Sequence, residues 1–242
     1  MDVSVIIPNY NYARYMRDCL FSVFGSYLES DRMEVVLVDD ASTDESVALA
    51  RDLAFHQGRE IRIVRHEVNR GLVETRNTGI QAASGRFLFF LDSDNRLTPG
   101  CLREHLDVML SDPGIDACYA PIQDFSDETG EFQSTRSDAP FDYARLLSGN
   151  YIDGMAMYRA DVFKRIGGFD AQMPLLGWED YEYWLRLGSK GHRVEFMPGP
   201  PLSQYRVHGS SMTEKVTKLH QHTLRKYLDG IYQLNFRVES DG

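Results

Sequence analysis

The stretch "NRGLVETRNTGIQAASGRFLFFLDSDN", Asn69 to Asn95, decides the fold. Its first half predicts a helix of small residues over 72–83, stopped by Ser84-Gly85. Its second half runs through five apolar residues, Phe87 to Leu91, straight into Asp92-Ser93-Asp94. A strand apolar at every position has both faces buried, as a parallel strand covered by helices does. Ligands of such sheets bind outside the carboxyl ends of the strands. The two carboxylates therefore stand where chemistry is expected.

Working outward, the same alternation repeats. "VSVIIP" (Val3 to Pro8) and "MEVVLVDD" (Met33 to Asp40) predict strands, and "IRIV" (Ile61 to Val64) a shorter one. Residues 13–28 carry apolar positions at helical spacing. Ser42-Thr43-Asp44-Glu45 reads as a helix start. Strands alternating with helices imply an α/β fold with a mostly parallel sheet and helices on both faces. The second half is less regular. Helices are expected over 99–110, 142–148 and 160–166, from Trp178, and over Glu214–Leu228. Strands are expected at "DACYAPI" (Asp116 to Ile122), "MAMY", "RVEFM" and "LSQYRV", and a mobile hairpin or loop over 123–140.

The 242 residues suit one large domain or two merged ones. A net charge of −10 with no basic tract argues against nucleic acid as a partner. No apolar run approaches the roughly 20 residues that span a bilayer, and "MDVSVIIPNY" lacks the marks of a signal peptide. Three cysteines without metal-site spacing read as buried thiols in a reducing compartment. A cytoplasmic protein is expected, with attachment to the inner membrane face left open.

Three acidic clusters mark strand ends or a helix start: Asp39-Asp40, Asp92 with Asp94, and Glu179-Asp180. Side chains two apart on a strand share a face, with Cα atoms about 6.6 Å apart. Mg²⁺ binds carboxylate oxygens at about 2.1 Å. Both acids on one ion would strain a flat strand, so a turn at Ser93 is expected, with Asp94 the direct ligand and Asp92 acting through water or on a ribose hydroxyl. "PNYNYARY" after the first strand lacks G-x-G-x-x-G, and no G-x-x-x-x-G-K-[ST] occurs. A phosphorylated ligand would then be held by metal and carboxylate rather than by a glycine loop. The plainer readings are that acids solubilise a strand end and that Glu179 and Asp180 favour a helix N-terminus.

Taken in order, "SVIIPNYN", "VLVDDASTDES", the 69–95 stretch, "GGFD" with "GWEDYEYWLRL", and "YRVHGSSMT" resemble the family-2 glycosyltransferases, inverting enzymes with the GT-A fold. The resemblance covers about Val3 to Ser211. It implies a Rossmann-like nucleotide-sugar half (1–98), a smaller acceptor-binding and catalytic half (99–212), and a C-terminal helix and tail (213–242). It implies that Pro8, Tyr10 and Asp39 or Asp40 line the base pocket, with Asp39 favoured. Asn69, Arg76, Asp92 and Ser93 would serve ribose and phosphates, helped by Arg206. Asp94, Asp92 and His208 would hold Mg²⁺ or Mn²⁺. Asp180 would be the catalytic base, with Trp178 and Glu179 on the acceptor side. The implied reaction moves a sugar from a uridine diphosphate sugar to a hydroxyl of a glycan or lipid-linked acceptor in surface polysaccharide assembly. Two rivals stay open: an inactive sugar-binding module and a nucleotidyltransferase. "DSDN" departs from many relatives at Asn95, which puts the sugar pocket in question.

Overall fold

The computed structural model describes residues 1–173, 177–209 and 218–234. The chain runs β1 (Val3–Asn9), α1 (Ala13–Phe24), β2 (Met33–Asp39), α2 (Ser46–His56), β3 (Arg62–Arg65), α3 (Leu72–Ala82) and β4 (Phe87–Phe90). It continues through β5 (Arg96–Leu97), α4 (Cys101–Ser111), β6 (Ala117–Tyr119), β7 (Ile122–Ser126), β8 (Phe132–Arg136), α5 (Tyr143–Leu146) and β9 (Met157–Arg159). Then come α6 (Ala160–Ile166), α7 (Glu179–Ser189), β10 (Val194–Phe196), β11 (Ser203–Val207) and α8 (Lys218–Tyr232).

One sheet has the order β10-β6-β9-β4-β1-β2-β3. Strands β4, β1, β2 and β3 run parallel, and β9 is antiparallel to both its neighbours. The buried strand behaves as its composition requires. Phe87, Phe89 and Leu91 enter one core with α1, α2 and α4, while Leu88 and Phe90 enter the other with α3 and α7. The small residues of α3 have a packing reason. A Cβ on Gly79 would lie 2.3 Å from Ile6 Cγ2, so only glycine lets this helix lie on β1.

A second, four-stranded sheet has the order β5-β11-β7-β8. It corrects two expectations. "DACYAPI" is not one strand: it breaks at Ala120-Pro121, and β6 and β7 belong to different sheets. Proline has no N–H for a ladder, and the Pro121 carbonyl instead accepts from Leu202 N–H at 3.0 Å. The segment 123–140 is a hairpin, but one built into a sheet, since β7 pairs with both β8 and β11. Helix α2 starts at Ser46, later than expected. Ser42 and Asp44 serve the loop instead, accepting the N–H groups of Asn11 and Ala13, both at 2.9 Å. Helix α8 reaches Tyr232 rather than Leu228, and the expected start near Glu214 lies outside the described residues. No described helix is long and apolar enough to cross a membrane.

Candidate active site

Where β4 ends, the chain turns over Ser93-Asp94, closed by Asn95 N–H donating to the Asp92 carbonyl at 3.0 Å. Strand β11 fastens this turn from the second sheet. Arg206 donates its backbone N–H to Asn95 Oδ1 at 2.8 Å and its Nε to the Asp94 carbonyl at 2.8 Å. Its remaining nitrogens reach Asp127 at 2.9 Å and Asp18 at 2.8 Å, and its guanidinium lies over Tyr15 and Phe125. Each guanidinium nitrogen of Arg206 thus meets a protein oxygen, and the residue fastens Asp94 from β11. Asn95 likewise faces β11 and not the cavity.

The cavity beside this turn measures about 320 Å³. Of the residues singled out from sequence, Arg76, Asp92, Ser93, Asp94, Trp178, Glu179 and Asp180 line it. Pro8, Tyr10, Asp39, Asp40, Asn69, Arg206 and His208 do not. Sequence reasoning missed Tyr12, Arg136, Asp153 and Tyr205 on its walls. Arg136 and Tyr205 come from the second sheet, whose pairing no local pattern announces. Asp153, a lone acid in "NYIDGMAMY", offered a weak signal.

Arg76 ties the two acidic clusters together. Its Nη2 donates to Asp92 Oδ1 at 2.7 Å and its Nη1 to Glu179 Oε1 at 2.5 Å. Burial opposes its charge, but the adjoining carboxylates of Asp92, Glu179 and Asp180 more than offset this and hold it cationic. Glu179 also accepts Gly177 N–H at 3.0 Å, so both its oxygens are engaged within the protein. It braces Arg76 from the cavity wall. Trp178 precedes α7 and stands edge-on to Tyr181, with ring centroids 5.5 Å apart.

Asp180 accepts its neighbour's N–H, Tyr181 N, at 2.7 Å. Burial, with Glu179 and Asp153 nearby, pushes its carboxyl well above the usual range. Its placement also depends on Gly154: a Cβ there would lie 3.3 Å from Asp180 Cβ. Burial likewise raises Asp94, while the hydrogen bond from His208 opposes the rise.

His208 Nε2 lies 3.0 Å from Asp94 Oδ2. Of the three expected metal ligands, Asp94 and His208 meet each other, while Asp92 Oδ1 is paired with Arg76 at 2.7 Å. Among the described residues no three His, Cys, Asp or Glu side chains gather as a ready-made metal site. Mg²⁺ ordinarily takes only one or two protein carboxylates, completing its shell with water and substrate phosphate. Asp94 supplies the carboxylate oxygen that Mg²⁺ and Mn²⁺ prefer, with His208 beside it.

The Asp39-Asp40 pair sits elsewhere. Asp39 accepts from Asn9 Nδ2 at 2.9 Å and Ser42 N–H at 3.2 Å, and meets Arg65 at 3.1 Å. Asp40 accepts from the N–H groups of Arg70 at 2.7 Å and Gly71 at 2.8 Å, and is bonded to His66 at 2.7 Å. Asp40 therefore anchors the chain entering α3. His66 is buried between Asp40 and Thr78. Tyr10 is exposed at the end of β1, and Asn69 donates weakly to the Asp40 carbonyl at 3.4 Å.

Residues 4–167 match the family model described as glycosyl transferase family 2. An uncharacterized glycosyltransferase of Haemophilus influenzae is 29% identical over 210 residues, covering 85% of this chain and 68% of that protein. The putative glycosyltransferase EpsH of Bacillus subtilis is 28% identical over 224 residues, covering 89% of this chain and 64% of its own length. Two solved structures share the fold. S. aureus TarS in complex with UDP-GlcNAc superposes with a TM-score of 0.73 at 20% identity, over 89% of this chain and 61% of that one. The mannosyltransferase PcManGT of Pyrobaculum calidifontis, in complex with GDP-Man and Mn²⁺, gives 0.72 at 21% identity, over 95% and 64%. The chain thus spans about two thirds of the length of these relatives.

Proposed function

The chain belongs to glycosyl transferase family 2 and has the GT-A fold, and from that premise we propose that it transfers a sugar, with inversion, from a nucleoside diphosphate sugar to a hydroxyl acceptor. The observation that carries this reading is one cavity that holds both the Asp92–Asp94 turn and Asp180. A uridine donor and a glycan or lipid-linked acceptor in surface polysaccharide assembly complete the proposal. The UDP-GlcNAc bound to TarS favours a uridine donor, and the GDP-Man bound to PcManGT is the rival. In this reading residues 1–98 serve the donor and 99–212 the acceptor and chemistry.

Inverting transfer needs a base for the incoming hydroxyl and a sink for charge on the departing diphosphate. Asp180 is the base. General-base catalysis contributes about 10²–10⁴-fold, and a carboxyl raised by burial holds a proton better than an exposed one. Five carboxylates and two guanidiniums line the cavity, and those guanidiniums already face carboxylates. A diphosphate entering such a field needs added positive charge. A divalent cation on Asp94 and His208 would supply Lewis-acid stabilisation worth several kcal/mol. Arg76 keeps Asp92 and the start of α7 in one frame, so that donor and base ends stay in register. Tyr10, Pro8 and Asp39, at the ends of β1 and β2, form the edge against which the base would lie.

A screen of nucleoside-diphosphate release from UDP- and GDP-sugars, with and without EDTA, tests the reading. Release that needs both a sugar nucleotide and a divalent metal is expected. Tight donor binding without turnover would point to a sugar-binding module, and pyrophosphate release to a nucleotidyltransferase. Undiminished release in EDTA would remove the metal from the account.

A further inference from the structure

We propose that Asp153 is a specificity-determining residue: its carboxylate accepts a hydrogen bond from a hydroxyl of a sugar bound in the cavity. The inference rests on the sugar-transfer reading and adds a recognition contact to it. Asp153 lies in the loop ahead of β9 and lines the cavity with Asp92 and Asp180. Its position is fixed by backbone bonds. Its N–H donates to Ser137 Oγ at 2.9 Å, and its Oδ1 accepts Met155 N–H at 3.0 Å.

The other oxygen, Oδ2, is poorly served by protein. Its contact with Arg136 Nη1 is long, at 3.4 Å. Arg136 directs its short bonds, 2.6 and 3.0 Å, to Asp124 and packs its guanidinium on Tyr205 at 3.7 Å. An ionised carboxylate offers about four acceptor sites. A side chain only 15% exposed with such sparse pairing costs stability unless something else satisfies it. Burial raises its carboxyl, against the opposing pull of Arg136.

The surroundings select the ligand. Asp92, Glu179 and Asp180 repel an anion from this corner, and the Arg136 guanidinium, 3.4 Å from Oδ2, stands on the side from which a cation would approach. A neutral O–H donor fits both conditions, and sugars carry several. The hydroxyl can belong to the donor sugar or to the acceptor, and kinetics separates the two.

Wild type, Asp153→Ala and Asp153→Asn are compared for KM of donor and of acceptor, with inhibition by UDP, which has no sugar, as the control. Asp153→Ala should raise one KM about tenfold or more, the scale of a bond to a charged group. Asp153→Asn, which keeps one carbonyl acceptor, should raise it less. UDP inhibition should stay unchanged. A rise in donor KM assigns the donor sugar, and a rise in acceptor KM the acceptor. If Asp153→Ala does not fold, the isosteric Asp153→Asn carries the test through the same two constants. Wild-type constants in a folded variant would overturn the inference and leave the transfer reading standing. A wild type that releases nucleoside diphosphate from no sugar nucleotide would overturn both.

Discussion

Two acid pairs close parallel strands of the same sheet, and they have opposite fates. Asp39-Asp40 ends β2, and Asp92 with Asp94 follows β4. In sequence each is a buried apolar run meeting carboxylates. In the fold the first pair is surrounded by donors from its own half: Asn9, Ser42, Arg65, His66 and the N–H groups of Arg70 and Gly71. The second meets Arg76, 16 positions away, and, from the far half of the chain, His208 and the backbone clamp from Arg206, and it keeps an open cavity beside it. A carboxylate at a strand end is thus available for chemistry only where loops leave some of its lone pairs unpaired. By this measure Asp40 spends its oxygens inside the fold, while Asp94 and Asp180 line the cavity.

The largest effects should fall on the cavity side. Asp94→Ala and Asp180→Asn should each lower turnover at least about 100-fold. Asp180→Asn should leave donor affinity nearly intact, and Asp94→Ala should weaken it. Turnover near wild type in either variant would break the contrast. Next comes the tie between clusters. Arg76→Ala leaves the buried Glu179 and the half-buried Asp92 without their cation, at a cost on the order of 3–5 kcal/mol in urea unfolding. Asp40→Ala deprives two backbone N–H groups and His66 of their acceptor, which should cost about 1–3 kcal/mol of stability. Its donor KM should change less than that of Asp94→Ala. An unchanged unfolding midpoint with a collapsed donor KM would place Asp40 in the nucleotide site and erase the distinction. The smallest effect is on the pH profile. A base must be ionised, so turnover falls on acidification. Because burial raises the Asp180 carboxyl, the fall in kcat should begin above the ordinary carboxylate range. An acid limb near pH 4 would mean that water reaches Asp180 freely.

Much of this architecture was legible in the residues. The unbroken apolar run of Phe87–Leu91 required two covered faces, and the fold supplies them. The turn at Ser93 followed from the geometry of two acids on one strand. The pairing of Glu179 was not legible, because its Oε1 answers Arg76, 103 positions away. Nor were the partners of Arg206, which reads as a ligand-binding cation and whose guanidinium nitrogens meet Asp18, Asp127 and the Asp94 carbonyl. Arg136 and Tyr205 escaped notice because the second sheet joins β7 to β11 across some 80 positions, and Asp153 because it reaches the cavity from an irregular loop ahead of β9.

Apolar runs, glycine breaks and acidic strand ends settled the class of fold and where along the chain chemistry could lie, because burial and backbone preference act on near neighbours. Which carboxylates point into the cavity and which are sealed by donors was left to tertiary structure. Those donors arrive from residues tens to over a hundred positions distant, and their approach is set only when two sheets pack around a common space.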